Sequence, residues 1–239
     1  ARDFQQFWHH CKKRVFRLPL QLERFNTSDM TTVLHAELNG ATHVVSSSLY
    51  GDADRYFDNL EPLLYSYKRF FPEYVHRFYV GTDLLPEVRD LLRSFGAEIV
   101  TMRAAGVKHR FMFWRFLAAE DTNLARVLVR DVDLLATQQE RDMVDKWEES
   151  QRDFHIIRSH YSHNWRIMGG LWGAVPRQKL VTNHYKRLWM FPNWLWGADQ
   201  VFLQRYIYRS IKQSVYICEL FQRFADEEVD VFPIDDVDF

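Results

Sequence analysis

The stretch Ala125-Arg126-Val127-Leu128-Val129-Arg130-Asp131-Val132-Asp133 decides the reading of the fold. Val127, Leu128 and Val129 form a short continuous apolar run, the pattern of a strand buried on both faces. The run passes directly into two carboxylates. In open α/β sheets, ligands gather at the carboxyl ends of the strands. The position of Asp131 and Asp133 therefore matters as much as their spacing.

Working outward, the same kind of strand recurs. His43-Val44-Val45-Ser46-Ser47-Ser48-Leu49-Tyr50 reads as a buried strand, closed by a turn at Gly51 and Asp52. Tyr56, Leu60, Leu63, Leu64, Tyr67 and Phe71 then fall at helical intervals, with Pro62 predicting a kink or a restart. Arg77-Phe78-Tyr79-Val80 is a second strand, Pro86 opens a helix that Gly96 ends, and Glu98-Ile99-Val100 is a third strand. After a helix over 111–119 and the strand already quoted come a helix over 140–147, a short strand over 154–157, a strand through Leu171 and a helix over 198–211. The fold class expected is α/β, with a mostly parallel central sheet flanked by helices. Residues 1–40 are expected to be an N-terminal appendage packed on the core. Residues 41–239 are expected to be a single domain.

Composition narrows the function. The chain has 239 residues, of which 47% are hydrophobic and 26% charged, enough for a sizeable core. Lys plus Arg is 31 and Asp plus Glu is 32, giving a net charge of −1. Basic and aromatic residues form no coherent stripe, so no nucleic-acid partner is expected. Two cysteines, Cys11 and Cys218, exclude a disulfide scaffold. No apolar run is long enough to span a membrane. A soluble cytoplasmic protein is expected; the alternative is a secretory-pathway lumenal protein that has lost an N-terminal anchor.

Asp131 and Asp133 leave an extended segment on the same side, or converge in a turn on one small ion. Their oxygens suit Mg²⁺ or Mn²⁺, which would neutralise a diphosphate. The plain alternative is a polar turn. Arg130 is either structural or a counter-charge for the carboxylates or a phosphate.

Val127-Leu128-Val129-Arg130-Asp131-Val132-Asp133 resembles the Asp-x-Asp region of nucleotide-sugar-dependent glycosyltransferases of the GT-A fold. Ser48-Leu49-Tyr50-Gly51, Phe113-Trp114-Arg115-Phe116 and Met168-Gly169-Gly170-Leu171-Trp172-Gly173 resemble a subgroup of small soluble enzymes found in bacteria and large viruses. Gly197-Ala198-Asp199-Gln200-Val201-Phe202-Leu203 resembles the acceptor-side segment of GT-A enzymes. Together these pieces span about residues 43–203. The resemblance implies a GT-A catalytic domain over 41–239, its donor part over about 41–135 and its acceptor part over about 136–239. It implies a nucleoside-diphosphate sugar as donor, UDP or GDP, and Mn²⁺ or Mg²⁺. Ser46, Ser48, Leu49 and Tyr50 match the nucleotide edge. Asp131 would face the ribose or a metal-bound water, and Asp133 would be the surer metal ligand. Arg115 would contact phosphate or serve as a structural partner of an aspartate.

His160 and His163, near Arg158, are candidate ligands for phosphate or sugar hydroxyls, or loop histidines held by hydrogen bonds. Gly169 and Gly170 permit unusual backbone angles or close approach, beside a sugar ring or under Trp172. Of the dense tryptophans Trp165, Trp172, Trp189, Trp194 and Trp196, the pair Trp194 and Trp196 is expected to line an acceptor cleft. Asp199 is the candidate general base for an acceptor hydroxyl, or the N-cap of the helix that follows. The expected reaction is inverting transfer of a sugar to a hydroxyl of a glycan or glycoconjugate, with retention as the alternative. The competing readings are a metal-dependent nucleotidyltransferase, and a carbohydrate-binding or interaction protein on an inactive GT-A fold. The acidic tail, with Asp235, Asp236 and Asp238, is read as solvated.

Overall fold

The apolar run of the opening stretch is a central strand. A computed structural model describes residues 28–51, 57–103, 108–187, 197–220 and 222–232. Among them, nine strands form one sheet: β1 (Val33–Glu37), β2 (His43–Leu49), β3 (Val75–Val80), β4 (Glu98–Met102), β5 (Arg126–Arg130), β6 (Phe154–Arg158), β7 (Leu171–Ala174), β8 (Val215–Glu219) and β9 (Asp230–Val231). The order across the sheet is β1-β4-β3-β2-β5-β7-β6-β8-β9. The pairs β2–β3, β2–β5, β3–β4, β6–β8 and β8–β9 are parallel, whereas β1 on β4 and β7 between β5 and β6 are antiparallel. The result is a mixed, mostly parallel sheet flanked by helices.

Buried strand positions alternate between two cores. Val44, Val127 and Val129 pack on one face with Phe113, Trp114, Trp172 and Phe202. Val45, Phe78 and Leu128 pack on the other with Leu63, Tyr67, Leu92 and Trp147. Each fully buried apolar side chain contributes roughly 1.5–3 kcal/mol. The helices of the second core are α1 (Leu60–Phe70), α2 (Pro86–Ser94) and α3 (Gln138–Glu149). Pro62 stands in the first turn of α1, where its missing N–H costs nothing, so the helix restarts there. Pro86 is the first residue of α2, and Gly96, at φ +72°, follows its end. Thr137 caps α3, its side chain accepting from Glu140 N at 3.1 Å.

The helix expected over 111–119 is present as a 3₁₀-helix, Lys108–Glu120. Two buried serines of β2 engage its backbone. Ser46 Oγ donates to Arg115 O at 2.7 Å, and Arg115 N donates to Ser48 Oγ at 2.9 Å. These bonds fasten the 3₁₀-helix to the strand at Arg115. The helix expected over 198–211 starts as α4 (Ala198–Phe202), widens into a π-helical stretch (Leu203–Ile207) and closes with an α-turn (Tyr208–Ile211).

Within the segment 1–40, Ser28–Thr31 forms a helical turn and Val33–Glu37 is the edge strand β1, built into the sheet. Residues 1–27 lie outside the described residues. Among the described residues, no helix is long and apolar enough to cross a membrane.

Candidate functional site

Three strand ends meet at one edge. β2 and β5 are parallel neighbours, ending at Leu49 and Arg130. β7 runs back against β5, and its first residue, Leu171, pairs with Arg130. This register sets Gly170 directly beside Asp131, and Gly169 lies against Asp199 and Arg115. The 3₁₀-helix lies against β2 and delivers Arg115 to the same point.

Arg115 is the centre of the site. Its Nη1 donates to Asp131 Oδ1 at 2.5 Å, and its Nη2 donates to Asp199 Oδ2 at 2.9 Å. The guanidinium is buried, as is Asp199, while Asp131 is half-buried and Asp133 exposed at the lip. Burial works against the charge of Arg115, but Asp131 and Asp199, with Tyr50 and Asp133 adding to the field, keep its pKa above the ordinary arginine value. Burial also pushes the Asp199 carboxyl above its usual range; Arg115 pulls it down and Asp131 pushes it further up.

The two glycines make this packing possible. A Cβ on Gly169 would stand 2.6 Å from Asp199 Oδ2 and 2.9 Å from Arg115 Nη2. A Cβ on Gly170 would stand 2.1 Å from Asp131 Oδ2 and 2.7 Å from Asp131 N. Neither glycine has positive φ. Of the two roles open to them in the sequence, close backbone approach is therefore the one realised, and unusual dihedrals are not. What approaches is the Asp131–Arg115–Asp199 bridge. Gln200 Oε1 accepts from Gly169 N at 3.1 Å and ties this turn to α4.

Asp199 is the second residue of α4. Its N-cap is Gly197, at φ 85°, so Asp199 does not cap the helix, although its Oδ1 accepts from the adjacent Gln200 N at 2.9 Å. Arg130 is fully buried and structural in its contacts. Its Nε donates to Glu140 Oε1 at 2.6 Å, and its Nη1 donates to the carbonyls of Val129 and Trp172, each at 2.8 Å. It fastens the start of α3 to the β5–β7 pair just before Asp131. Ser48 and Leu49 are buried, Ser48 serving Arg115 N as described. Tyr50 is half-buried, and its ring meets Phe111 and Trp114 edge-on.

His160 and His163 lie in the loop after β6, at the same edge. Their ring centroids are 5.5 Å apart, and Ser162 N donates to His160 Nδ1 at 3.2 Å. Burial, with His160 and Arg223 assisting, lowers the His163 pKa to about 4, so this imidazole is neutral at pH 7. Arg223 donates to the carbonyls of His160 and Tyr161, each at 2.9 Å. Beneath the loop, buried Arg158 meets Glu219 Oε2 at 3.0 Å and is paired with Glu227, which also takes Arg166 Nη1 at 2.9 Å. This charged network escaped the sequence reading; the apolar run of β8 leading into Glu219 was its available signal. Trp165 is half-buried and Trp172 fully buried. Trp189, Trp194, Trp196, Asp235, Asp236 and Asp238 lie outside the described residues.

Two carboxylates, Asp131 and Asp199, bind one guanidinium, and Asp133 adds to its field. Among the described residues, no group of three or more His, Cys, Asp or Glu is placed to hold a metal ion. Asp131 also spends one oxygen on Arg115. A Mg²⁺-like ion needs only one or two carboxylates when phosphates fill the rest of its shell. Asp131 and Asp133 are the residues that would hold an ion entering with a diphosphate.

No family model and no curated protein matches the chain. Among solved structures, it is similar to 4-diphosphocytidyl-2C-methyl-D-erythritol synthase from Anaerococcus prevotii, at 13% identity and a TM-score of 0.48, over 74% of this chain and 86% of that one. It is also similar to a mannosyltransferase from Pyrobaculum calidifontis in complex with GDP-Man and Mn²⁺, at 12% identity and a TM-score of 0.42, over 74% of this chain and 53% of that one. These are likenesses of fold, a mostly parallel sheet flanked by helices, and they bring no substrate with them.

Proposed function

We propose that the chain transfers a group from a nucleotide-activated donor, and that the group is a sugar carried on a nucleoside diphosphate. One observation carries this reading. Asp131, at the end of a central strand, and Asp199, at the start of α4, are drawn to a single guanidinium at the carboxyl edge of the sheet. Such an edge is where an α/β sheet places a ligand. In this reading the diphosphate lies over the ends of β2 and β5, and Tyr50 borders the base. Asp133 and Asp131 would hold a divalent ion that offsets the leaving diphosphate's charge. Asp199 accepts the proton of the attacking acceptor hydroxyl, which fits inversion. Burial raises the proton affinity of Asp199, the direction a base requires. The exposed His160 and Tyr161, pinned through their carbonyls by Arg223, offer a surface for a glycan acceptor.

A second reading is favoured by the same bridge. With one guanidinium matched against both Asp131 and Asp199, the site is also that of a carbohydrate-binding protein on an inactive GT-A fold, in which carboxylates accept sugar hydroxyls without chemistry. Nucleotidyl transfer is a third use of the same edge. A calorimetric panel of nucleoside diphosphates, nucleotide-sugars and nucleoside triphosphates, each with Mn²⁺, Mg²⁺ or EDTA, separates them. Cation-dependent binding of a diphosphate or its sugar, lost in Asp133→Ala, with slow hydrolysis of the nucleotide-sugar, supports glycosyl transfer. Pyrophosphate release from a triphosphate supports nucleotidyl transfer. Binding of free sugars alone supports the inactive fold.

A further inference from the structure

We infer that Arg115 is a positioning residue: its two-pronged guanidinium locks Asp199 to Asp131 and aims Asp199, and it does not contact the donor phosphates. The roles given to Asp199 and Asp131 rest on the function proposed above, whereas the bridge itself does not.

The geometry leaves Arg115 little reach toward a phosphate. One N–H of Nη1 goes to Asp131 at 2.5 Å and one of Nη2 to Asp199 at 2.9 Å, and the side chain is only 7% exposed, so little of it meets the open edge. Nε is buried against the interior and makes no hydrogen bond to the described residues. Gly169 closes over the Nη2 side, leaving no room there even for a methyl group. The backbone of Arg115 is fixed as well, because Ser46 and Ser48 of β2 bind its carbonyl and its N–H. The charged groups facing Asp199 are Arg115 from the 3₁₀-helix and Asp131 from the end of β5, with Asp133 adding to the field at Arg115.

The bridge has a functional consequence. Asp131 belongs to the donor half and Asp199 to the acceptor half. Without the guanidinium, Asp199 would be a buried carboxylate with no counter-charge and would turn away, whereas part-exposed Asp131 keeps its place at the end of β5. With it, Asp199 is held at a fixed place relative to Asp131. Lysine offers a single point charge and cannot span both partners, so the requirement is for arginine itself.

The test compares the full-length chain with Arg115→Lys and Arg115→Ala, the latter with and without millimolar guanidinium. Two readouts are taken. The first is hydrogen exchange at the amides of Gly169 and Gln200, which report on the Asp199 turn through Gln200 Oε1 and Asp199 Oδ1. Both variants should lose about tenfold or more in protection there, with guanidinium restoring it in Arg115→Ala and distant sheet amides unchanged. The second is binding of UDP and GDP, which should change by less than about threefold, because the phosphates do not meet this side chain. Unchanged protection in Arg115→Lys overturns the bridge. Loss of nucleotide binding with protection intact makes Arg115 a phosphate ligand and overturns the inference while leaving the proposed function standing. A wild-type chain that binds no nucleotide at all refutes the proposed function, and the exchange data still decide the bridge. Arg115→Lys serves if Arg115→Ala fails to fold.

Discussion

Arg115 and Asp199, 84 residues apart in sequence, are joined Nη2 to Oδ2 at 2.9 Å beneath the backbone of Gly169. This contact unites the two halves of the sheet edge. Asp131 follows β5, Asp199 opens α4, and the side chain between them comes from a 3₁₀-helix anchored on the serines of β2.

Gly169 is the tightest point of that arrangement. A methyl group there would fall within 3 Å of both partners of the pair, so one of them must move. Overpacking of this kind costs about 1–3 kcal/mol. Gly169→Ala should lower the urea midpoint accordingly and abolish whatever ligand binding the calorimetric panel detects. A variant with wild-type stability and wild-type binding would mean that Arg115 and Asp199 are not packed under this residue.

Arg130 makes a different prediction. It is completely buried, and its charge is matched by Glu140 at 2.6 Å. Glu140→Gln keeps the volume and removes the charge, leaving a buried guanidinium without a counter-ion. Breaking such a pair costs about 3–5 kcal/mol. Chemical denaturation of Glu140→Gln beside Arg130→Met/Glu140→Gln gives the check. The single variant should be the less stable, because the double variant removes the stranded charge too.

Much of this architecture was legible in the chain itself. The strands at 43–49, 75–80, 98–102 and 126–130 are apolar runs bounded by turn residues, and Pro86 and Gly96 bracket α2 as their chemistry dictates. β1 was not legible, because Val33–Glu37 is exposed along nearly its whole length and shows no alternation. β8 was not legible because its apolar run, Val215 to Cys218, is only four residues long and gives too little periodicity to assign. The 3₁₀ winding of the helix over 111–119 was not legible because Phe111, Met112, Phe113, Trp114 and Phe116 are all buried, leaving no polar face to reveal the period. Asp131, Asp199 and Arg115 could each be singled out from their neighbours in sequence. Their junction could not, since it depends on register across β5 and β7.

His76 makes the acid limb of stability predictable. Burial lowers its pKa from the ordinary 6.5 to about 3. Ser47 Oγ donates to Arg130 O at 2.9 Å, so at His76 it must act as acceptor, and the imidazole donates from Nε2 at 2.9 Å. The unfolded chain takes up a proton below pH 6.5, whereas the native chain does not until about pH 3. Stability is therefore full above pH 6.5 and falls as pH drops toward 3, by up to about 1.4 kcal/mol per pH unit for this one site. His76→Gln retains a donor for Ser47 and does not titrate. Urea midpoints at pH 7 and pH 5.5 should fall further apart in wild type than in this variant. Equal pH dependence would show that His76 is not held neutral.

Asp199→Asn separates chemistry from architecture. Asparagine keeps one oxygen that can accept from Arg115 or from Gln200 N–H, and it loses the charge that takes a proton. If Asp199 is the base, the variant should fold, bind the nucleoside diphosphate within about threefold of wild type, and transfer sugar slower by about 10²–10⁴-fold, the span that general-base catalysis accounts for. The comparison must use a saturating donor, so that a change in affinity is not mistaken for one in turnover. Transfer at the wild-type rate would remove Asp199 from the reaction and leave it as the partner that keeps Arg115 in place. Transfer and binding falling together would show that its charge is needed to assemble the site rather than to move the proton.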